Sequence, residues 1–194
     1  MRCIYHGNGD YPLLLVIGIR YGIKLTSDRM KAIIKGDIFC VNIDNYSKCY
    51  LQYVTDETQM LNSSFIRVFK KRYSMDETPQ KEDIVKDEIS FYAHTMIKVG
   101  VKQYAWHRMG NSKSVGDTVN ITFRWFGEMD FSRISKSFSW RIWRVNKPAT
   151  FIGELNEQVK KYDLGLVIPP CDIMARIKRI IILTHIAAKS YVTP

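Results

Sequence analysis

A chain of 194 residues, 46% hydrophobic and 25% charged, is long enough for one well-buried domain and lies outside the composition range of disordered chains. Its formal charge of +10 admits nucleic acid, an acidic membrane surface or an acidic protein as partner without choosing among them, and equally serves plain solubility. Cys3, Cys40, Cys49 and Cys171 form no CxxC pair and no short Cys/His ladder, so no zinc site of the usual spacing is expected, and no other metal or cofactor motif stands in its place.

Residues 1–29 carry Gly7, Gly9, Gly18 and Gly22 and show no clear period. Their one apolar run, LLLVIGI (13–19), is far shorter than the roughly 20 apolar residues a bilayer span requires. Arg20 and Lys24 follow it without a small-residue cleavage site, which argues against an export signal. A cytoplasmic chain with reduced thiols and no membrane partner is therefore expected. The segment reads either as an extension ahead of a start at Met30 or as an added edge strand over 12–19, and both readings stand. A single β-rich domain is expected over 30–183, with 184–194 as a tail.

From Met30 strand signals come at short intervals. IFCVNI (38–43) and CYLQYV (49–54) are β-branched or aromatic runs joined by Asp44-Asn45-Tyr46-Ser47, a turn composition that sets Cys40 and Cys49 on facing arms. FIRVF (65–69) runs into Lys70-Lys71-Arg72. After Thr78-Pro79, a capping pair, QKEDIVKDE (80–88) predicts one or two helical turns or an acidic loop. ISFYAHTMIKV (89–99) and VKQYAWHRM (101–109) read as a hairpin turning near Gly100, with a second turn over 111–116. In TVNITFRWF (118–126), Val119, Ile121, Phe123 and Trp125 alternate with polar residues, the cleanest period of two in the chain. A loop is expected over 128–136.

SFSWRIWRVNKP (137–148) reads as a strand over 137–145. Phe138, Trp140, Ile142 and Arg144 share one face, mostly apolar, which predicts core; Ser139, Arg141, Trp143 and Val145 share the other, which is left for a partner. In CDIMARIKRIIIL (171–183), Ile173, Met174, Ile177, Ile180 and Ile181 recur at three- and four-residue spacing, with Asp172 in the first turn and Lys178 and Arg179 later. The class expected is α+β, mainly β: a strongly bent antiparallel sheet or small barrel with a C-terminal amphipathic helix over its open face.

No phosphate-binding loop, dinucleotide fingerprint, nucleophile elbow or HExxH motif occurs. His94 and His107, on opposite arms of the proposed hairpin, form an acid–base pair only if the register brings them to one face; half-buried, hydrogen-bonded histidines are the plainer reading. Glu82, Asp83, Asp87 and Glu88 read first as a solvated acidic face. No catalytic residue and no metal ligand is assigned. The partner-binding candidates are Arg141, Trp143 and Arg144, where a guanidinium can stack on an indole, and the Lys70, Lys71, Arg72 cluster. Such a mix also suits single-stranded RNA or DNA, or a structural strand whose arginine stem covers a tryptophan.

KGDIFCVNIDN (35–45), YLQYV (50–54), LNSSFIRVFKKRY (61–73), FYAHT (91–95), WRIWRVN (140–146) and LGLVIPPCDIMARIK (164–178) together resemble the immunity protein 26 family, bacterial proteins grouped with the polymorphic-toxin immunity proteins. The resemblance runs from about Met30 to Lys178 and rests on fold-type patterns, not on catalytic motifs, so it assigns no site residues. It implies a small cytoplasmic protein without catalysis that binds and neutralises a cognate protein toxin. Single-stranded nucleic acid is the alternative partner.

Overall fold

The computed structural model describes residues 32–126 and 138–179. The proposed extension at 1–29, the whole loop expected over 128–136, Ile180, Ile181 and the tail 184–194 lie outside the described residues. Those described from Ile33 onward belong to one unit.

A first sheet is built from β1 (Asp37–Asn42), β2 (Ser47–Glu57), β3 (Ser63–Phe69), β4 (Tyr73–Ser74), β5 (Ile89–Thr95) and β6 (His107–Asn111). Its order is β5-β3-β2-β1-β6, all antiparallel, with β4 paired to the start of β2. The β1–β2 turn forms as its composition predicts: the Asp44 carboxylate accepts from the Tyr46 and Ser47 backbone N–H groups at 2.8 and 2.7 Å. At the far edge, the buried carboxylate of Asp37 ties β6 to β1. It accepts from Arg108 Nη2 at 2.7 Å, Asn111 Nδ2 at 2.9 Å and the Ile34 N–H at 2.9 Å.

Both faces of this sheet are covered, which explains why its central strands are continuous apolar runs. On one face Phe39, Val41, Leu51, Ile66, Val68 and Phe91 pack under Trp106 and under Ile173 and Ile177. Burial of each large side chain contributes roughly 1.5–3 kcal/mol. Ile173 and Ile177 belong to the C-terminal helix, residues 170–179, where Pro170 stands in the first turn. The amphipathic helix and its docking on the sheet are as the spacing predicts.

The opposite face divides into three. At one end Ile38, Tyr50, Phe69 and Tyr73 meet Ile84 of α1 (Lys81–Ile84), the single helical turn of the 80–88 segment. At the other end Val54 and Phe65 meet a second sheet. Between them Arg67, only 3% exposed, donates to Gln52 Oε1 at 2.8 Å and to the Ser114 carbonyl at 2.8 Å. That polar seam carries the 112–116 loop.

Three expectations are corrected. Residues 97–103 form a helix, α2 (Ile97–Gln103), not the turn of a hairpin, and it places β5 and β6 on opposite edges of the sheet. The cause is tertiary: Trp106 is buried to 1% exposure directly on Gly100, where a Cβ would lie 2.3 Å from Trp106 Cε3. The alternating run 118–126 pairs only over β7 (Thr122–Phe126), because Asp117 accepts from the Val119 N–H at 3.0 Å and turns the chain beforehand. Cys40 and Cys49 do not face each other. Cys40 pairs with Tyr50 and Cys49 with Val41, so their side chains leave opposite faces, and both thiols are free. Among the described residues the first sheet ends at β6 and does not close on itself, so the bent open sheet and not the barrel is the form adopted.

Candidate partner-binding face

The second sheet has the order β10-β7-β8-β9, with β8 (Trp140–Arg144), β9 (Thr150–Gly153) and β10 (Asp163–Leu164). A short helix, α3 (Glu157–Lys160), lies between the last two and is capped by Asn156 Oδ1, which accepts from the Val159 N–H. β7 pairs with β8 so that Phe123 opposes Trp143, Arg124 opposes Ile142 and Trp125 opposes Arg141. This register decides which side of SFSWRIWRVNKP is core, and it reverses the expected assignment.

Trp143 is 2% exposed. Its ring lies 5.6 Å from that of Phe123 and 6.3 Å from the imidazole of His94, in the cluster that joins the two sheets. It lies against Gly165 so closely that a Cβ there would sit 1.5 Å from Cη2. The expectation that Trp143 faces a partner is therefore overturned. Phe138, Trp140, Ile142 and Arg144, read as core, form the more open side.

On that open side Arg124 lies 5.4 Å over the Trp140 ring and donates through Nε to the Tyr162 carbonyl at 2.8 Å. Phe126 packs on Trp140 at 4.9 Å. On the other side Arg141 covers Trp125 at 5.8 Å. Several apolar groups nevertheless stand in solvent: Phe138, Phe151 and Val119 are 56%, 61% and 68% exposed. Beside them a hollow of about 430 Å³ is lined by Val119, Ile142, Pro148 and Tyr162, with Arg144 and Lys147 among its walls.

The walls are held from behind. Asn146, in the left-handed region at φ 56°, accepts from the Thr58 N–H at 2.9 Å and donates to the Asp56 carbonyl at 2.8 Å. The Lys147 N–H closes the turn on the Arg144 carbonyl at 2.9 Å. The sequence reading missed Val119, Lys147 and Tyr162 as site residues. The only local signal was the VNKP stretch, whose Asn and Pro mark the turn that sets Arg144 and Lys147 side by side.

Lys70, Lys71 and Arg72 follow Phe69 at the α1 end of β3, whereas the second sheet packs at the Phe65 end. The structure does not bring the two basic groups together. Lys70 is paired with Glu88 at 2.9 Å, and the Lys71 N–H donates to Asp87 at 2.7 Å while its ammonium sits 4.7 Å over Tyr73. The carboxylates of the acidic segment are thus partly engaged by their basic neighbours.

His94 and His107 are likewise separated, on β5 and β6 at opposite edges. His94 is buried, with Nδ1 3.3 Å from Ser63 Oγ and its ring 4.7 Å from Phe123. Burial lowers its pKa to about 4, the Glu57 carboxylate opposing that shift only in part. His107 is exposed. The proposed acid–base pair is not assembled. Among the described residues no group of three or more His, Cys, Asp and Glu side chains is placed to hold a metal ion, and no helix is long and apolar enough to cross a membrane.

No curated protein and no solved structure matches the chain. A family model described as Immunity protein 26 matches residues 34–135. That stretch contains the whole first sheet and β7, and β8 to β10 follow it.

Proposed function

Because the chain belongs to the immunity protein 26 family, we propose that it is a non-catalytic, cytoplasmic antidote that binds a cognate protein toxin and blocks it. The family match is the observation that carries this reading. The separation of His94 from His107 is in keeping with a protein that holds its target without transforming it. The open side of the second sheet is the better interface than the Lys70–Arg72 cluster, because Lys70 and Lys71 are already engaged by Glu88, Asp87 and Tyr73. Arg144 and, from the turn that follows it, Lys147 are its cationic anchors, whereas Arg141 and Phe151 lie opposite each other on the other side of the sheet.

A bacterium expressing a candidate toxin drawn from the genes neighbouring this one tests the reading. Co-expression of the full chain should restore growth, and the two proteins should purify together. Continued killing, with no recovered complex, rules the antidote role out.

A further inference from the structure

We propose that the hollow between Val119, Ile142, Pro148 and Tyr162 is a docking site for an acidic segment of the partner protein, with an apolar side chain filling the hollow and a carboxylate reaching Arg144 and Lys147. This deepens the antidote reading and rests on it for the identity of the partner as protein.

Charge complementarity selects the occupant. Two exposed cations stand on one wall, the lining contains no carboxylate, and none of the ion pairs among the described residues involves either cation. A carboxylate from outside therefore meets charge that no described carboxylate neutralises, and Arg144 offers it the planar two-pronged geometry that a carboxylate matches. Next to that charge lies apolar surface: Val119 at 68% exposure, and Ile142 and Pro148 in the lining. A volume of about 430 Å³ is of the size that buries a side chain or a small ligand, and a filled pocket at the centre of an interface is where binding energy concentrates.

The turn that carries the cations is also preorganised. Asn146 is fixed through both ends of its amide, to Asp56 near the end of β2 and to Thr58 just beyond it, so the backbone turn carrying Arg144 and Lys147 spends little ordering entropy on binding. Nucleic acid fits less well. Its bases stack best on open indole faces, and here Arg124 covers Trp140, Arg141 covers Trp125 and Trp143 is buried, while the exposed rings of Phe138 and Phe151 stand outside the hollow's lining.

The full-length chain can be panned against a displayed library of random dodecapeptides, with oligothymidylate as the nucleic-acid probe. Enriched peptides should carry Asp or Glu next to Leu, Ile or Phe. Their affinity should fall at least ~10-fold on the Arg144→Glu, Lys147→Glu double variant, since reversed charges repel the same carboxylate. Lys70→Glu, Lys71→Glu should leave it within about twofold, because that cluster lies at the other end of β3. Both cations at the hollow are exposed, so thermal unfolding should show the double variant folded. An unenriched library, peptides without acidic residues, or equal binding to both proteins overturns the proposal. So does oligothymidylate binding that the double variant abolishes, which makes the occupant a nucleic acid. Growth rescue separates the two readings: if the double variant still protects as wild type does, the hollow is not the site and the antidote reading survives.

Discussion

His94 carries the clearest pH dependence in the chain. Its imidazole lies among Phe65, Phe123 and Trp143, and burial pulls its pKa from the ordinary 6.5 to about 4. The folded state therefore prefers the neutral ring, whereas the unfolded chain takes up a proton below about 6.5. The contribution to stability is complete above that pH, declines as pH falls toward about 4, and is gone below it. A shift of this size corresponds to roughly 3 kcal/mol. Urea midpoints measured from neutral to acidic pH should fall through that window, and His94→Gln should flatten the fall. An unchanged slope in the variant would place the acid sensitivity elsewhere. The same residue shows why a histidine in an alternating strand says little alone: the sequence gives its spacing, but the sheet edge it occupies decides what it meets.

Among the elements, β6 is tied to β1 by one buried carboxylate in addition to its backbone ladder. Asp37 is 0% exposed and receives Arg108, Asn111 and the Ile34 amide. Asp37→Ala should cost about 3 kcal/mol, at the low end for a broken buried pair because Arg108 keeps 20% of its side chain in solvent. Hydrogen exchange should accelerate first over 107–111; protection lost evenly across the sheet would mean that Asp37 is not β6's tie. The first three strands were legible because their β-branched runs and the Asp44 turn agree with the fold locally. The helix over 97–103 was not, since Val99, Gly100 and Val101 suit a turn between strands until Trp106 requires a close approach. The second sheet was half legible: the period of two in WRIWR was plain, but three apolar residues on one face outweighed one tryptophan on the other. Only pairing with β7 puts Trp143 beneath Phe123's neighbours and leaves Trp140 outside. The hollow was not legible at all, because Val119 and Tyr162 reach it from loops distant in sequence.

For the whole molecule, the excess of +10 sets how binding responds to salt. Between about 50 and about 200 mM salt, a protein partner held at the hollow through one Arg and one Lys should lose no more than roughly tenfold in affinity, against the 10³–10⁵ expected of a ligand held through many phosphates. A steeper loss, measured by titration calorimetry across that range, would favour nucleic acid. The order of strands has a further consequence, one for synthesis. β1 lies between β2 and β6, and the partners Asp37 and Asn111 are 74 positions apart. On the ribosome, one side of β1 can join β2 almost at once while its other side waits, at roughly 5–20 residues per second, about 4–15 s for β6 to emerge. During that interval a hydrophobic strand offers an unpaired edge to any neighbouring nascent chain. Weakening the Asp37–Arg108 contact should prolong that exposure once β6 has emerged, so the yield of soluble protein is expected to fall by more than the loss of equilibrium stability alone accounts for.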